Sequence, residues 1–343
     1  MVSNQNHHFM KICICGGGSL GHVCAGVMAS QEGIELNILS GHPDRWDNRI
    51  VVTDGNGKEY VSNINRVSSN PQEVIPNQDI ILFCLPGYLI EKTLSDIRPY
   101  IGNAAVGTVV SSTGFFFFAH DILGDKAKLF GFQRVPFISR VAEYGKTANL
   151  LGYKSSLAAA LENIEDKEGF KKELERLFIT PVTLLDSFYE VALSNSNPIL
   201  HTGRLYSMFY GRENEVFDHN ILFYKEWTDE ASQLLIDMDA EFFQLLKKLK
   251  VHSLPTLLDY YESVDATSLT RKIKSIPAFQ SITSPMKQVS GGWTIDFGSR
   301  YFVEDFPFGL RWIKELADNN RIEMPHVCKV FNWGNYYLNN NEK

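Results

Sequence analysis

The sequence predicts two domains, an α/β doubly wound domain over residues 1–183 and an all-helical domain over residues 184–343. Three observations carry this expectation. Short apolar runs alternate with helical patterns through the first half of the chain, the rhythm of a mostly parallel sheet. The glycine-rich stretch CGGGSLGH (15–22) directly follows the first of those runs. After about residue 185, strand signals nearly vanish and apolar residues recur at helical spacing. At 343 residues the chain is long for a single core, which favours the same division.

KICIC (11–15) is a short apolar strand, and the glycines after it open a helix reaching Ser30. IELNILS (34–40) is a second strand. RIVVTD (49–54) and KEYVSNINRV (58–67), joined by Asp54-Gly55-Asn56-Gly57, predict a hairpin. DIILFCLP (79–86) is a buried strand stopped by Pro86, and AVGTVVSS (105–112) and KLFGFQRV (128–135) predict two more, with helices between. Segments 186–194, 226–250 and 254–263 carry helical patterns. Leu234, Leu235, Met238, Phe242, Leu245, Leu246 and Leu249 form one stripe. The polar end NNNEK is expected to fray.

Composition narrows the function classes. With 44% hydrophobic and 21% charged residues, the chain has the balance of a soluble globular protein. A net charge of −7 with no long basic run argues against a nucleic-acid partner. The start MVSNQNHHFMKICIC lacks the basic opening and sustained apolar core of a signal peptide. AVGTVVSSTGFFFF is broken by polar residues and too short to span a bilayer. A cytoplasmic location with no membrane partner is the expectation. Of five cysteines, Cys13, Cys15, Cys24 and Cys84 sit on apparent strands and a helix, as small buried hydrophobes rather than a disulfide framework.

Gly16-x-Gly18-x-x-Gly21 has the spacing of a dinucleotide-binding loop, between a strand and a helix. Gly16 allows the tight turn, Gly18 lets backbone approach a pyrophosphate, and Gly21 lets helix and strand pack closely. The phosphates would meet the helix N-terminus near Ser19 and Leu20, where free N–H groups favour anions. At the end of the second strand, LSGHPDRW offers Ser40 where NAD binders usually carry an acid, with His42 and Arg45 close behind. A hydroxyl with a guanidinium suits a 2′-phosphate, so NADP is favoured over NAD. Asp44 pulls the other way, and Arg45 is also readable as a solvated surface charge. Leu85 and Pro86 in CLPG end a strand where the cofactor's ribose and nicotinamide are expected, although a strand merely ending at proline fits the same residues.

A nicotinamide enzyme needs a proton source, and histidine suits that role near neutral pH. His7 and His8 lie in an N-terminal tail, His22 is expected to pack or cap, and His42 is a cofactor-end candidate. His120, His219, His252 and His326 show no polar constellation in their own surroundings. His201 follows the polar stretch SNSNP, one turn into a helix begun at Asn197-Pro198 and on the same face as Asn197. On this chemistry alone a satisfied buried ring is an equal alternative. The stretch DFGSRYFVEDFPFGL (296–310) sets Asp296, Arg300, Glu304 and Asp305 amid aromatic residues, where charges need partners. Arg300 and Glu304 could pair along a helix turn. Alternatively, Arg300 clamps a substrate carboxylate while Asp305 orients an imidazole.

Together, GGGSLG, SGHPDRW, FCLPG, VPFISRVAEYGK (135–146), NPILH (197–201) and RYFVEDFPFGL (300–310) resemble the opine dehydrogenase family, the NAD/NADP octopine/nopaline dehydrogenase-like proteins. The motifs occur in the family's order across nearly the whole chain. The resemblance implies a Rossmann-type domain followed by an all-helical one. It also implies reductive condensation of an amino acid with a 2-keto acid through an imine, using NAD(P)H. It places the catalytic histidine on His201, its aspartate partner on Asp305, the substrate-carboxylate arginine on Arg300 and the accompanying asparagine on Asn197. These roles require His201 and Asp305 to lie within hydrogen-bond reach. The loop FISRVAEYGK makes Arg140 a second carboxylate contact, or else a structural arginine. Trp227, Tyr206 and Tyr210 could line the amine side, with helical-core packing the plainer account of each. No metal is called for, and a homodimer is the assembly considered. The rivals are a ketopantoate reductase-like or glycerol-3-phosphate dehydrogenase-like enzyme, which would use a lysine in place of His201, and a non-enzymatic NADP(H) sensor.

Overall fold

The computed structural model of the protein describes residues 9–340. His7, His8 and the last three residues of the polar tail lie outside the described residues, while Asn339 and Asn340 end the last helix. The chain divides into two compact units, one through Ala192 and one from Leu193. The division falls later than residue 183 because Val182–Leu184 is a strand of the first unit's sheet and helix Phe188–Ala192 packs on that sheet.

The strands of the first unit are β1 (Met10–Cys15), β2 (Ile34–Leu39), β3 (Arg49–Asp54), β4 (Glu59–Asn63), β5 (Arg66–Ser68) and β6 (Ile80–Phe83). They continue with β7 (Ala105–Thr108), β8 (Leu129–Phe132), β9 (Phe137–Glu143), β10 (Thr147–Tyr153), β11 (Leu157–Glu162) and β12 (Val182–Leu184). Eight form one sheet in the order β12-β11-β8-β7-β6-β1-β2-β5. Its pairings from β5 across to β8 are parallel, and β11 runs antiparallel to β8. The chain steps from β1 outward through β2 to β5, then returns to β6 on the other side. The strand order therefore reverses between β1 and β6, and ligands of doubly wound sheets gather outside the carboxyl ends at such a point.

A second sheet, β4-β3-β10-β9, covers the other side of helix Ser19–Ala29. That sandwiching explains why this helix is apolar all round, with every residue from Gly21 to Met28 buried. The expected hairpin forms as β3 and β4 with Val51 opposite Val61, but Arg66 and Val67 leave it to join the large sheet as β5. FISRVAEYGK, expected as a loop, is mostly strand β9. Phe137 and Ser139 are buried while Ile138 and Arg140 are exposed, the two-residue alternation of a half-covered strand. Cys13, Cys15, Cys24 and Cys84 are free and buried.

The second unit is a helical assembly with one small hairpin added. Helix Asp229–Lys248 starts with a Thr228 cap, carries Asp229 and Glu230 in its first turn and ends with Lys247 and Lys248, charges that suit the helix dipole. The apolar stripe predicted along it buries Leu235, Met238, Phe242, Leu245 and Leu246. Helix Asn197–Phe209 crosses it closely at Gly203, where a Cβ would stand 2.9 Å from Leu235 Cδ1. Helices Ala266–Ser275, Arg311–Asn320 and Pro325–Asn340 complete the frame. The all-helical expectation lacked the antiparallel hairpin of β13 (Met286–Val289) and β14 (Gly292–Ile295), whose four-residue strands leave little periodicity to detect. Among the described residues, no helix is long and apolar enough to cross a membrane.

Candidate active site

In the first unit, the loop after β1 lies at the point where the strand order reverses. Gly16 has φ +125°, a conformation side chains resist, and an added Cβ would stand 2.5 Å from the Cys84 carbonyl oxygen. At Gly21 an added Cβ would stand 2.0 Å from the carbonyl of Gly16, so only glycine lets the helix start this close to the loop. Gly18 is the N-cap of helix Ser19–Ala29 and has open space where its Cβ would be. That helix start carries neither a capping side chain nor an acid in its first turn. The Ser19 hydroxyl accepts the N–H of Val141, and Leu20 packs on the core. Leu85 stands beside Gly16, and Pro86 caps helix Gly87–Ile97. An uncapped helix N-terminus behind an open glycine fits a dinucleotide pyrophosphate.

Around this loop the structure builds an aromatic cluster. His22 is buried, stacks on Trp46 at 4.1 Å and lies 5.0 Å from the ring of Tyr144. Its Nε2 accepts the N–H of Gly145 at 2.7 Å and its Nδ1 donates to the Gly18 carbonyl at 3.0 Å, so the ring is neutral and ties the loop to the β9–β10 turn. Burial holds its pKa below the ordinary histidine range, in keeping with that state. Ser40 is buried beneath the cluster, where its hydroxyl accepts from Trp46 Nε1 and from the His42 N–H and meets the Tyr144 phenol, each at 3.3 Å. Arg45 is exposed with its guanidinium 4.3 Å over the Tyr144 ring, and His42 and Asp44 are exposed beside it. Ser40 thus shapes the end of β2 from below, and Arg45 is the cation at its surface.

In the second unit, Pro198 pre-sets the first turn of helix Asn197–Phe209, and His201 follows one turn along. Asp305 precedes the five-residue turn Phe306–Leu310, whose Gly309 lets it pack onto Pro198, where a Cβ would stand 2.5 Å from Pro198 Cγ. This packing brings together residues 104 positions apart: His201 Nδ1 donates to Asp305 Oδ2 at 2.8 Å. Both side chains are mostly buried, 13% and 17% exposed, so solvent screens the pair weakly. Because a carboxylate only accepts, Nδ1 carries a proton, and in the neutral ring Nε2 keeps its lone pair. In that state Nε2 accepts from the phenol of Tyr224, 3.0 Å away. Burial, and then the neighbouring Tyr301, Tyr261 and Asp305, push the Tyr224 pKa well above the ordinary tyrosine range, so the phenol keeps its proton.

The other expected residues fall as follows. Arg300 is exposed and forks onto Glu304, with Nε and Nη2 at 3.2 and 3.0 Å from the two carboxylate oxygens. Asn197 is half-buried at the helix start, its N–H bound to Asn195 Oδ1. Arg140 is exposed on β9 and donates to the Ser139 carbonyl. Trp227 and Tyr206 are buried and packed, while Tyr210 is exposed and stacked on Tyr206. The reading that four other histidines lack polar company is corrected for three of them. His120 meets Glu162, His219 meets Asp218 and Glu226, and His326 meets Glu241. Glu162 and Glu241 are remote in sequence, which hid them. Tyr224 and Arg204 were missed altogether. Arg204 had a signal, standing one turn after His201 in HTGR, whereas Tyr224 lies in an irregular segment with none.

Residues 184–338 match the family model described as NAD/NADP octopine/nopaline dehydrogenase, alpha-helical domain. The chain is 27% identical to the octopine dehydrogenase of Mizuhopecten yessoensis, covering 94% of this chain and 89% of that protein. The same figures hold for the opine dehydrogenase of Haliotis discus hannai. An octopine dehydrogenase solved with NADH and L-arginine matches with a TM-score of 0.84 at 25% identity, over 96% of this chain and 90% of that one. The fold and these matches place the chain among the NAD(P)-dependent oxidoreductases with a helical second unit. Within that class it is a relative of the opine dehydrogenases.

Proposed function

We propose that the protein is an NAD(P)H-dependent opine dehydrogenase. It condenses the amine of an amino acid with a 2-keto acid and, in reverse, oxidises an N-(1-carboxyalkyl) amino acid. The observation that carries this reading is the enclosed His201–Asp305 pair, 2.8 Å apart, in a unit that matches the octopine/nopaline dehydrogenase helical domain. With its Nδ1 proton held by Asp305, His201 takes a proton at Nε2 from the incoming ammonium and returns it to the carbonyl oxygen as water leaves. Acid–base help of this kind is worth on the order of 10²–10⁴-fold. Arg300 anchors the keto-acid carboxylate, which replaces Glu304 in the same two-pronged geometry. Asn197 and Arg140 are assigned as further substrate contacts.

When bound, the reduced nicotinamide supplies the hydride. Gly16, Gly18, Ser19, Leu20 and Gly21 would hold the pyrophosphate, and Leu85 and Pro86 would flank the ribose. NADP is the preferred form, since β2 ends in Ser40 rather than an acid and Arg45 offers an exposed guanidinium beside it. The reading includes a cytoplasmic enzyme of small molecules, assembled as a homodimer, with no nucleic-acid or membrane partner. A matrix of keto acids against amino acids, followed by oxidation of NADPH and of NADH, tests it. Turnover with at least one pair is expected. Silence with every pair, despite tight cofactor binding, refutes it in favour of a cofactor sensor or another reductase of the same plan.

A further inference from the structure

We propose that Tyr224 is a positioning residue for His201, holding the Nε2 side of the imidazole as Asp305 holds the Nδ1 side. The inference rests on the reading of His201 as the acid–base group. Both ring nitrogens are engaged, at 2.8 Å by Asp305 and at 3.0 Å by the Tyr224 phenol, which fixes the plane of the ring as well as its tautomer. Tyr301 at 4.6 Å and Phe223 at 5.7 Å crowd the ring further.

The phenol is itself held in place. Tyr224 is buried, stacks on Phe279 at 4.1 Å and 19°, and lies parallel to Trp227 at 5.8 Å. Arg204, on the helix that carries His201, clamps the backbone on both sides of Tyr224. Its Nε donates to the Phe223 carbonyl at 3.0 Å and its Nη2 to the Glu226 carbonyl at 2.8 Å. Arg204 is 2% exposed, and burial lowers the pKa of its guanidinium to about 10. A buried cation spent on two backbone carbonyls is costly to maintain, which marks this segment as one whose position matters.

The hydroxyl has a definite chemical effect. It donates to Nε2 only while that nitrogen has a lone pair, so it favours the neutral ring ready to accept a proton. When a proton arrives at Nε2 from substrate the phenol gives up this bond, so protonating the ring costs one hydrogen bond. The other titratable groups around the pair are Asp305, Tyr301 and Tyr261, and the nearby Arg300 is committed to Glu304.

The test is Tyr224→Phe, which removes the hydroxyl and keeps the stacked ring. The acid limb of the kcat/KM profile is expected to move up by roughly one pH unit, the size of one hydrogen bond's preference between protonation states. The NMR titration midpoint of the His201 ring, assigned by its loss in His201→Ala, should move the same way. A folded variant with both profile and midpoint unmoved overturns the proposal. Should Tyr224→Phe not fold, Phe279→Leu keeps the hydroxyl but removes the ring that aims it. A raised midpoint there supports the proposal and an unchanged one overturns it. The NMR titration needs no substrate, so it still decides the role of Tyr224 if no keto acid and amino acid pair is turned over. Normal wild-type turnover with an unmoved midpoint in Tyr224→Phe defeats this inference alone.

Discussion

Gly309→Ala should cost far more activity than stability. The added Cβ would stand 2.5 Å from Pro198 Cγ and 2.8 Å from Pro198 Cβ, and a proline ring in the first turn of a helix has no rotamer to escape into. Ordinary contact begins at 3.4 Å, so the two segments must part by about 0.9 Å. Those segments carry Asp305 and His201. If their 2.8 Å separation takes up most of the shift it becomes about 3.6 Å, beyond hydrogen bonding. Overpacking of this kind costs about 1–3 kcal/mol. The lost freedom of glycine in the unfolded chain returns about 0.4–1 kcal/mol, so the net destabilisation is roughly 0–2.5 kcal/mol. The melting temperature should fall by only a few degrees, while kcat falls at least tenfold because His201 loses its orienting partner. Steady-state oxidation of NADPH beside a thermal melt measures both. Turnover within threefold of wild type in a folded Gly309→Ala protein would refute the argument that this contact sets the His201–Asp305 geometry.

His201→Ala should leave NADPH binding intact and lower turnover at least a hundredfold, read by fluorescence titration and initial rates; normal turnover would sink the catalytic assignment. Replacing Arg45 with Glu should shift the ratio of kcat/KM for NADPH over NADH toward NADH, and an unchanged ratio would count against a 2′-phosphate contact there. Burial pushes the Asp239 carboxyl up to about 6, above its unfolded value near 3.8, while it accepts the Leu257 N–H at 2.9 Å. A raised folded pKa means stability that is full below about pH 4 and is lost as pH rises through about 6. Asp239→Asn keeps the acceptor without the buried charge, so urea unfolding at pH 7.5 should show it about 1–2 kcal/mol more stable than wild type, with the gap closing by pH 4. A gap that does not change with pH would contradict this.

What the chain determines by itself is local. The strand and helix patterns of the first unit, the glycine loop with its three tasks, and the helix begun by Asn197-Pro198 all follow from spacings of a few residues, which backbone geometry reads directly. The four-residue strands of the β13–β14 hairpin and the strand within FISRVAEYGK were harder to see, because short or half-covered strands carry weak alternation. Which groups surround His201 is a different matter. Asp305 lies 104 residues away, and Tyr224 is held by a clamp from Arg204. Ser40 turned out to be buried beneath Trp46 and Tyr144, not presented at the surface. These arrangements depend on how helices and sheets pack, and packing is decided by side chains from many segments at once. The sequence therefore named the imidazole and its carboxylate, and only the tertiary structure placed a phenol on the ring's other nitrogen.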